Sequence, residues 1–148
     1  MKIFLGSDHA GFELKNELKK FLEEFGYEVK DFGNDVYDEQ DDYPDFILPV
    51  AQAVAKDPQN SRGIILGGSG QGEAIIANRI KGVRAVVVYD YNENIITLSR
   101  QHNDANVLSL GARFIDTSEA KSAVRVWLET PFSEDERHKR RIAKIDKE

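Results

Sequence analysis

The stretch RGIILGGSGQGEAIIANRIKGVRAVVVYD, residues 62–90, decides the fold. A short apolar run, RGIILGG, is bounded by glycines and reads as a buried strand. EAIIANRIK has the spacing of a helix, and RAVVVYD is valine-rich, as a strand buried in a parallel sheet should be. Strand, glycine turn, helix, strand is one crossover unit of a parallel sheet.

The same alternation extends in both directions. Upstream, KIFLGS (2–7) is an apolar run. Leu14, Leu18, Phe21, Leu22 and Phe25 recur at helical spacing, and Gly26 stops that helix. YEVKDF (27–32) alternates like a strand. The acidic stretch 31–45 is a loop closed by Tyr43-Pro44. DFILPVAQAVAK (45–56) is helical, with Pro49 interrupting its early part or shifting its start. Downstream come a helix over NENIITLSRQ (92–101), a strand NVLSLGAR (106–113) and a helix SEAKSAVRVWLE (118–129). Ser133 with Glu136 three residues later is a capping-box pattern for a last helix, 134–147. The pattern implies an α/β sandwich with five mainly parallel strands, in one domain over 1–148. Strand order is not readable from it.

The chain has 148 residues, no cysteine and a formal net charge of -6. Absence of cysteine excludes disulfides, thiol nucleophiles and thiolate metal sites. The acidic balance argues against nucleic acid as the main ligand. The first residues offer too short an apolar run for a secretory signal, and no run is long enough to span a bilayer, so cytoplasmic residence is the expectation. Charge is uneven: 31–45 is acidic and 137–147 strongly basic. That tail is either a local anion site or a solvated helix face.

Ligands of open α/β sheets gather at the carboxyl ends of the strands. Asp8-His9, GGSGQGE (67–73), Tyr89-Asp90 and Arg113 all fall there. Gln101-His102-Asn103-Asp104 precedes a strand instead, and needs the fold or a neighbouring subunit to join them. The glycine loop lacks the GK[ST] of a nucleotide P-loop, and its glycines sit at the wrong offsets for a dinucleotide fingerprint. It is a tight turn or a cradle of N–H groups for an anion. Glu73 is either first-turn helix electrostatics or a general base beside that cradle. Asp8-His9 is either a polar turn or a proton-handling site. Neither HxH nor HExxH occurs, which argues against a metal. Arg137 and Arg141 lie one turn apart and could grip a phosphate with His138 beside them. Ile142 and Ile145 give the helix an apolar edge.

Together, GSDHAGFELK (6–15), DYP (42–44), GGSGQGE (67–73), NRIKGVRA (78–85), SRQHNDANVLSLG (99–111) and ERHKRR (136–141) resemble the ribose-5-phosphate isomerase B and galactose-6-phosphate isomerase family across essentially the whole chain. The resemblance implies a Rossmann-like α/β/α fold, a homodimer or tetramer, an active site at the dimer interface, and aldose–ketose isomerisation of a phosphorylated pentose or hexose without metal or other cofactor. It implies that Asp8 and His9 face the sugar and its phosphate, and that Tyr43 lines the pocket. Gly68, Ser69, Gly70, Gln71 and Gly72 would form the anion-stabilising loop. His102 would help open the ring, Asn103 would hold a hydroxyl or oxyanion, and Arg113, Arg137 and Arg141 would contact phosphate. One branch of the family has a cysteine base at the position of Gly67. This chain resembles the branch whose base is the glutamate at Glu73. A non-catalytic sugar-phosphate or nucleotide binding module on the same fold is the alternative from another class.

Overall fold

The computed structural model describes residues 1–147. Five strands form one all-parallel sheet: β1 (Lys2–Ser7), β2 (Glu28–Asp31), β3 (Ser61–Gly67), β4 (Ala85–Val88) and β5 (Val107–Gly111). Their order is β2-β1-β3-β5-β4. From β1 the chain moves outward to β2, then returns to lay β3 on the other side of β1. The carboxyl ends of β1 and β3 therefore flank the point where the winding reverses, the usual crevice of such sheets.

The helices are α1 (Phe12–Glu24), α2 (Pro44–Lys56), α3 (Gln71–Ala77), α4 (Glu93–Asn103), α5 (Thr117–Glu129) and α6 (Glu136–Ile142). Side chains alternate across the strands, so each face of the sheet acquires its own core. Ile3, Leu5, Ile64, Leu66, Leu108 and Leu110 pack with Leu14, Leu18 and Leu22 of α1, Ile96 of α4, and Val124 and Trp127 of α5. Phe4, Ile65 and Val107 face the other way, onto Ile47, Val50 and Val54 of α2 and Ala77 of α3. The result is a three-layer, Rossmann-like α/β/α sandwich. Each fully buried aliphatic side chain contributes about 1.5–3 kcal/mol.

Local signals in the sequence account for most boundaries. Gly26 has φ +87, and the N–H groups of Gly26 and Tyr27 donate to the carbonyls of Glu23 and Leu22, so α1 ends in a left-handed cap. Asp116 and Glu119 form a reciprocal capping box at α5. Three expectations need correction. Helix α2 starts at Pro44 and runs through Pro49 without interruption. The valine-rich β4 is an edge strand, and only Val88 of it is buried. The last helix is shorter than 134–147, and Ser133 does not cap it: Glu134 turns left-handed at φ +62, so Asp135 becomes the residue before the helix.

Candidate active site

Asp8 leaves β1 with extended backbone, and its carboxylate accepts from the N–H groups of Ala10 (3.0 Å) and Gly11 (3.4 Å). The next residue, His9, points its Nδ1 at Asp41 Oδ1, 2.7 Å away, and its backbone N–H donates to the same oxygen at 3.1 Å. Asn34 Nδ2 donates to the other oxygen of Asp41 at 2.6 Å. The hydrogen bond to Asp41 raises the His9 pKa above its usual value, against the opposing effect of burial. For Asp41, burial pushes upward, but the hydrogen bonds from His9 and Asn34 prevail and lower its pKa. Asp41 was submerged in the acidic stretch and escaped sequence reasoning; a run of seven acidic residues gives no signal for which one turns inward.

The glycine loop follows β3. Gly70 sits at φ +78 in the turn before α3, a conformation that side chains resist. Ser109 of β5 donates to the Gly70 carbonyl at 2.5 Å and pins the turn. The N–H groups of Ser69 and Gly70 donate to no acceptor among the described residues. They are available to an anion, as a nest of successive N–H groups is. The Ser69 hydroxyl accepts from the N–H of Gln71 at 3.3 Å. A Cβ at Gly72 would stand 2.8 Å from the Tyr43 hydroxyl, so Tyr43 closes over the loop. Arg113, just beyond β5, donates its backbone N–H to Gly68 O at 3.1 Å. Its guanidinium packs against the same glycine, where a Cβ would lie 3.2 Å from Nη1.

Glu73 enters from the first turn of α3 and is only 4% exposed. Its carboxylate reaches back to the end of β3 and fills the place where a side chain on Gly67 would begin. Burial raises its pKa above the ordinary glutamate range; the nearby Asp8 charge adds to this and its own backbone N–H opposes it. A carboxylate in this position is a stronger base than one in water. Substituting Gly67→Ala should displace the flexible end of Glu73 rather than the backbone. With Glu73 read as a general base, the expected result is a nearly unchanged Tm with turnover down about 100-fold, the cost of misplacing such a base by about 1 Å. Steady-state assay beside thermal unfolding checks both halves.

The structure thus brings together Asp8, His9, Tyr43, Gly68, Ser69, Gly70, Gln71, Gly72, Glu73 and Arg113, with Asp41 added. It does not bring His102, Asn103, Arg137 or Arg141 to them within one chain. Helix α4 returns from the carboxyl end of β4 to the amino end of β5, so His102 and Asn103 lie at the opposite end of the sheet. Five strand residues separate the two ends by about 16 Å. There His102 stacks on His138 of α6, ring centroids 4.2 Å apart and planes 18° apart. Asn103, Arg141, Ile142 and Ile145 complete a cleft of about 380 Å³ with them. Burial lowers the His138 pKa, and the charges of His102, Arg137 and Arg141 lower it further. The Arg137 side chain is 61% exposed, with Asp135 3.8 Å away.

Among the described residues, one group could gather a cation: the donor atoms of Asp8, His9 and Asp41 lie within 4.8 Å of one another. Their mutual hydrogen bonds and the backbone N–H groups already account for that arrangement.

Comparison with known proteins decides the family. Residues 3–145 match the family model described as ribose/galactose isomerase. The chain belongs to that family. Ribose-5-phosphate isomerase B of Mycolicibacterium paratuberculosis is 42% identical over 96% of this chain and 87% of its own. Among solved family structures, ribose-5-phosphate isomerase B of Mycoplasma genitalium with bound ribulose-5-phosphate superposes with a TM-score of 0.92. It is 41% identical, covering 97% of this chain and 93% of that one. The Clostridium thermocellum enzyme gives a TM-score of 0.91 at 45% identity, over 99% and 95% of the two chains. Membership of the ribose/galactose isomerase family supports isomerase activity on a pentose or hexose phosphate.

Proposed function

We propose that this chain interconverts D-ribose 5-phosphate and D-ribulose 5-phosphate, with Glu73 as the base. The observation that carries the reading is the buried Glu73 carboxylate, held beside Asp8 and a glycine turn with open N–H groups. A side chain at position 67 and the carboxylate of Glu73 compete for one volume. That competition fits a base supplied from 73 in a chain whose residue 67 is glycine.

The reaction then runs as follows. The furanose opens as a base removes the proton from O1 and an acid protonates O4; Asp8 and His102 are the groups for these transfers. Glu73 removes the proton on C2, and the C2–H electrons form the C1–C2 double bond while the carbonyl electrons move to O1. The resulting cis-enediolate carries its charge against the N–H groups of the 68–72 loop, with Asn103 as a further donor. Loss of one such donor costs about 3 kcal/mol in other enzymes. Return of the proton from Glu73 to C1, with the O2 proton passing to O1, leaves the ketose. His9, Arg113, Arg137 and Arg141 hold the phosphate.

This scheme needs two copies of the chain, because the His102 cleft and the Glu73 site lie at opposite ends of one sheet. A homodimer accounts for the exposed apolar face: Ile75 of α3, Tyr89 after β4, and Ile95 and Leu98 of α4 are all exposed beside the open β4 edge. The relatives' names favour the pentose substrate, and the family description leaves room for hexose phosphates. Assaying pentose and hexose phosphates for aldose–ketose interconversion tests the substrate. Ribose 5-phosphate should give the highest kcat/KM; a hexose 6-phosphate exceeding it would overturn the assignment. In the same assay Arg137→Ala should raise KM for ribose 5-phosphate about 10- to 100-fold, the loss of a charged hydrogen bond. Binding of unphosphorylated ribose should stay unchanged.

A further inference from the structure

Asp104 follows His102 and Asn103 and closes α4 at φ +45, ψ +45, a left-handed conformation that, glycine apart, aspartate and asparagine adopt most readily. Two arginines from different elements converge on it. Arg100 is 4% exposed, yet its Nη1 donates to Asp104 Oδ1 at 2.8 Å and to Ala105 O at 2.6 Å. Its Nε donates to Thr130 O at 3.1 Å, in the connection that leads to α6. Arg84, entering β4, donates Nη2 to Asp104 Oδ2 at 3.0 Å. Its Nε donates to the carbonyls of both Asn103 and Asp104, each at 3.0 Å. The backbone closes the same junction, where Ser133 N–H donates to Gln101 O at 3.2 Å.

Every bond in this cluster falls within two residues of His102 or on the segment that brings His138 and Arg141 to it. None of Arg84, Arg100 and Asp104 lines the cleft that His102 and Asn103 form with Arg141. The cluster therefore does not touch the substrate of that cleft. A charged pair in the ordinary position at a helix end would need only one arginine. Here the second arginine spends its donors on the backbone of the reactive turn, which fixes where the His102 ring and the Asn103 amide point.

We propose that Arg84, Arg100 and Asp104 are positioning residues, a clamp that holds His102 and Asn103 in register with the phosphate-binding helix. This rests on the reading of His102 as a ring-opening group. The Asp104 N–H closes the turn onto Arg100 O at 3.0 Å, and the two guanidinium groups hold its carboxylate from either side. Movement of about 1 Å at such a group can cost about 100-fold in rate.

The test is a double-mutant cycle on the full-length protein. Arg84→Met and Asp104→Asn are made in the unaltered chain and in His102→Ala. Arg84 is partly exposed and Asn tolerates the left-handed turn, so both variants should fold, with Tm within a few degrees. Expected in the unaltered background is a fall in kcat of about 10- to 100-fold with KM within about threefold. In the His102→Ala background the same changes should cost much less, because only what they do through Asn103 is left. Equal losses in both backgrounds, or none in either, would overturn the clamp while leaving the isomerase reading intact. Full turnover by His102→Ala would overturn the ring-opening role, and the clamp with it. The His102 imidazole proton resonances report the same displacement without turnover: they should shift in Asp104→Asn, and unshifted resonances count against the clamp.

Discussion

Glu73→Gln should abolish most isomerisation while leaving substrate affinity nearly unchanged. The amide keeps the size of the side chain and its place at the end of β3. It cannot accept the C2 proton. A placed proton-transfer group contributes about 100- to 10,000-fold, so kcat should fall by at least the lower figure. The same change should stabilise the fold at neutral pH. In the unfolded chain Glu73 ionises near 4.5, whereas burial and the Asp8 charge delay its ionisation in the folded chain. Between those two pKa values the folded state holds the proton that the unfolded state has released. Stability is therefore lost as pH rises through that window, and the penalty is complete above the folded pKa. Glutamine never ionises, so the variant should have a higher Tm than the unaltered chain at pH 7 and the same Tm below pH 4. Activity of the unaltered chain should fall in acid at a pH above the ordinary glutamate pKa, since the base must be ionised. A variant that loses both activity and stability at pH 7 would show Glu73 to be structural.

Lys15→Ala should destabilise the fold strongly. Lys15 is fully buried on α1, and its Nζ lies 2.8 Å from each carboxylate oxygen of Asp31 and 2.8 Å from Asn34 O. Removing it leaves the Asp31 charge uncompensated in the interior, a loss of about 3–5 kcal/mol. Lys19 stands 3.9 Å from Asp31 and holds the expected value near the lower end. The damage should also reach the active site. Asn34 is the residue whose amide holds Asp41, and Asp41 holds His9. Urea unfolding should show a lower midpoint with an unchanged slope. Pairing Lys15→Met with Asp31→Leu should recover part of the loss, because no charge is then stranded. A cost below 1 kcal/mol for Lys15→Ala would contradict the account.

The sequence made the layers of this fold legible because each helix advertises its buried face. Leu14, Leu18 and Leu22 are one stripe, and the β1 and β3 runs are too apolar to be anything but internal. What it hid was position within the sheet. The valines of β4 look as buried as those of a central strand, but whether a strand has one neighbour or two depends on crossovers that leave no local trace. The Ser133–Glu136 spacing failed for a similar reason: it counts residues and cannot see the left-handed turn at Glu134. In the site, the glycine loop, Glu73, Asp8 and His9 stood out because glycines and charges at strand ends are costly without a use. Asp41 did not, since it looks like its acidic neighbours until the loop folds back. Lys15 was also missed: it falls on the buried side of α1 at i, i+3 and i+7 with Leu18 and Leu22, where a lone lysine reads as an interruption of the stripe. His102 and Asn103 were legible: they precede a strand where the other candidates follow one, and the structure puts them at the amino end of β5, a strand's length from the carboxyl-end site.

The most direct measurement is the exchange of the C2 proton of ribose 5-phosphate with solvent, followed by NMR in D2O for the unaltered protein and for Glu73→Gln. Glu73 as the base, exchanging its proton with D2O before returning it, predicts deuterium at C1 of the ribulose 5-phosphate formed by the unaltered protein. It also predicts that Glu73→Gln loses exchange and isomerisation together. Exchange at an undiminished rate in Glu73→Gln would show that another group takes the proton, and would contradict the mechanism at its centre.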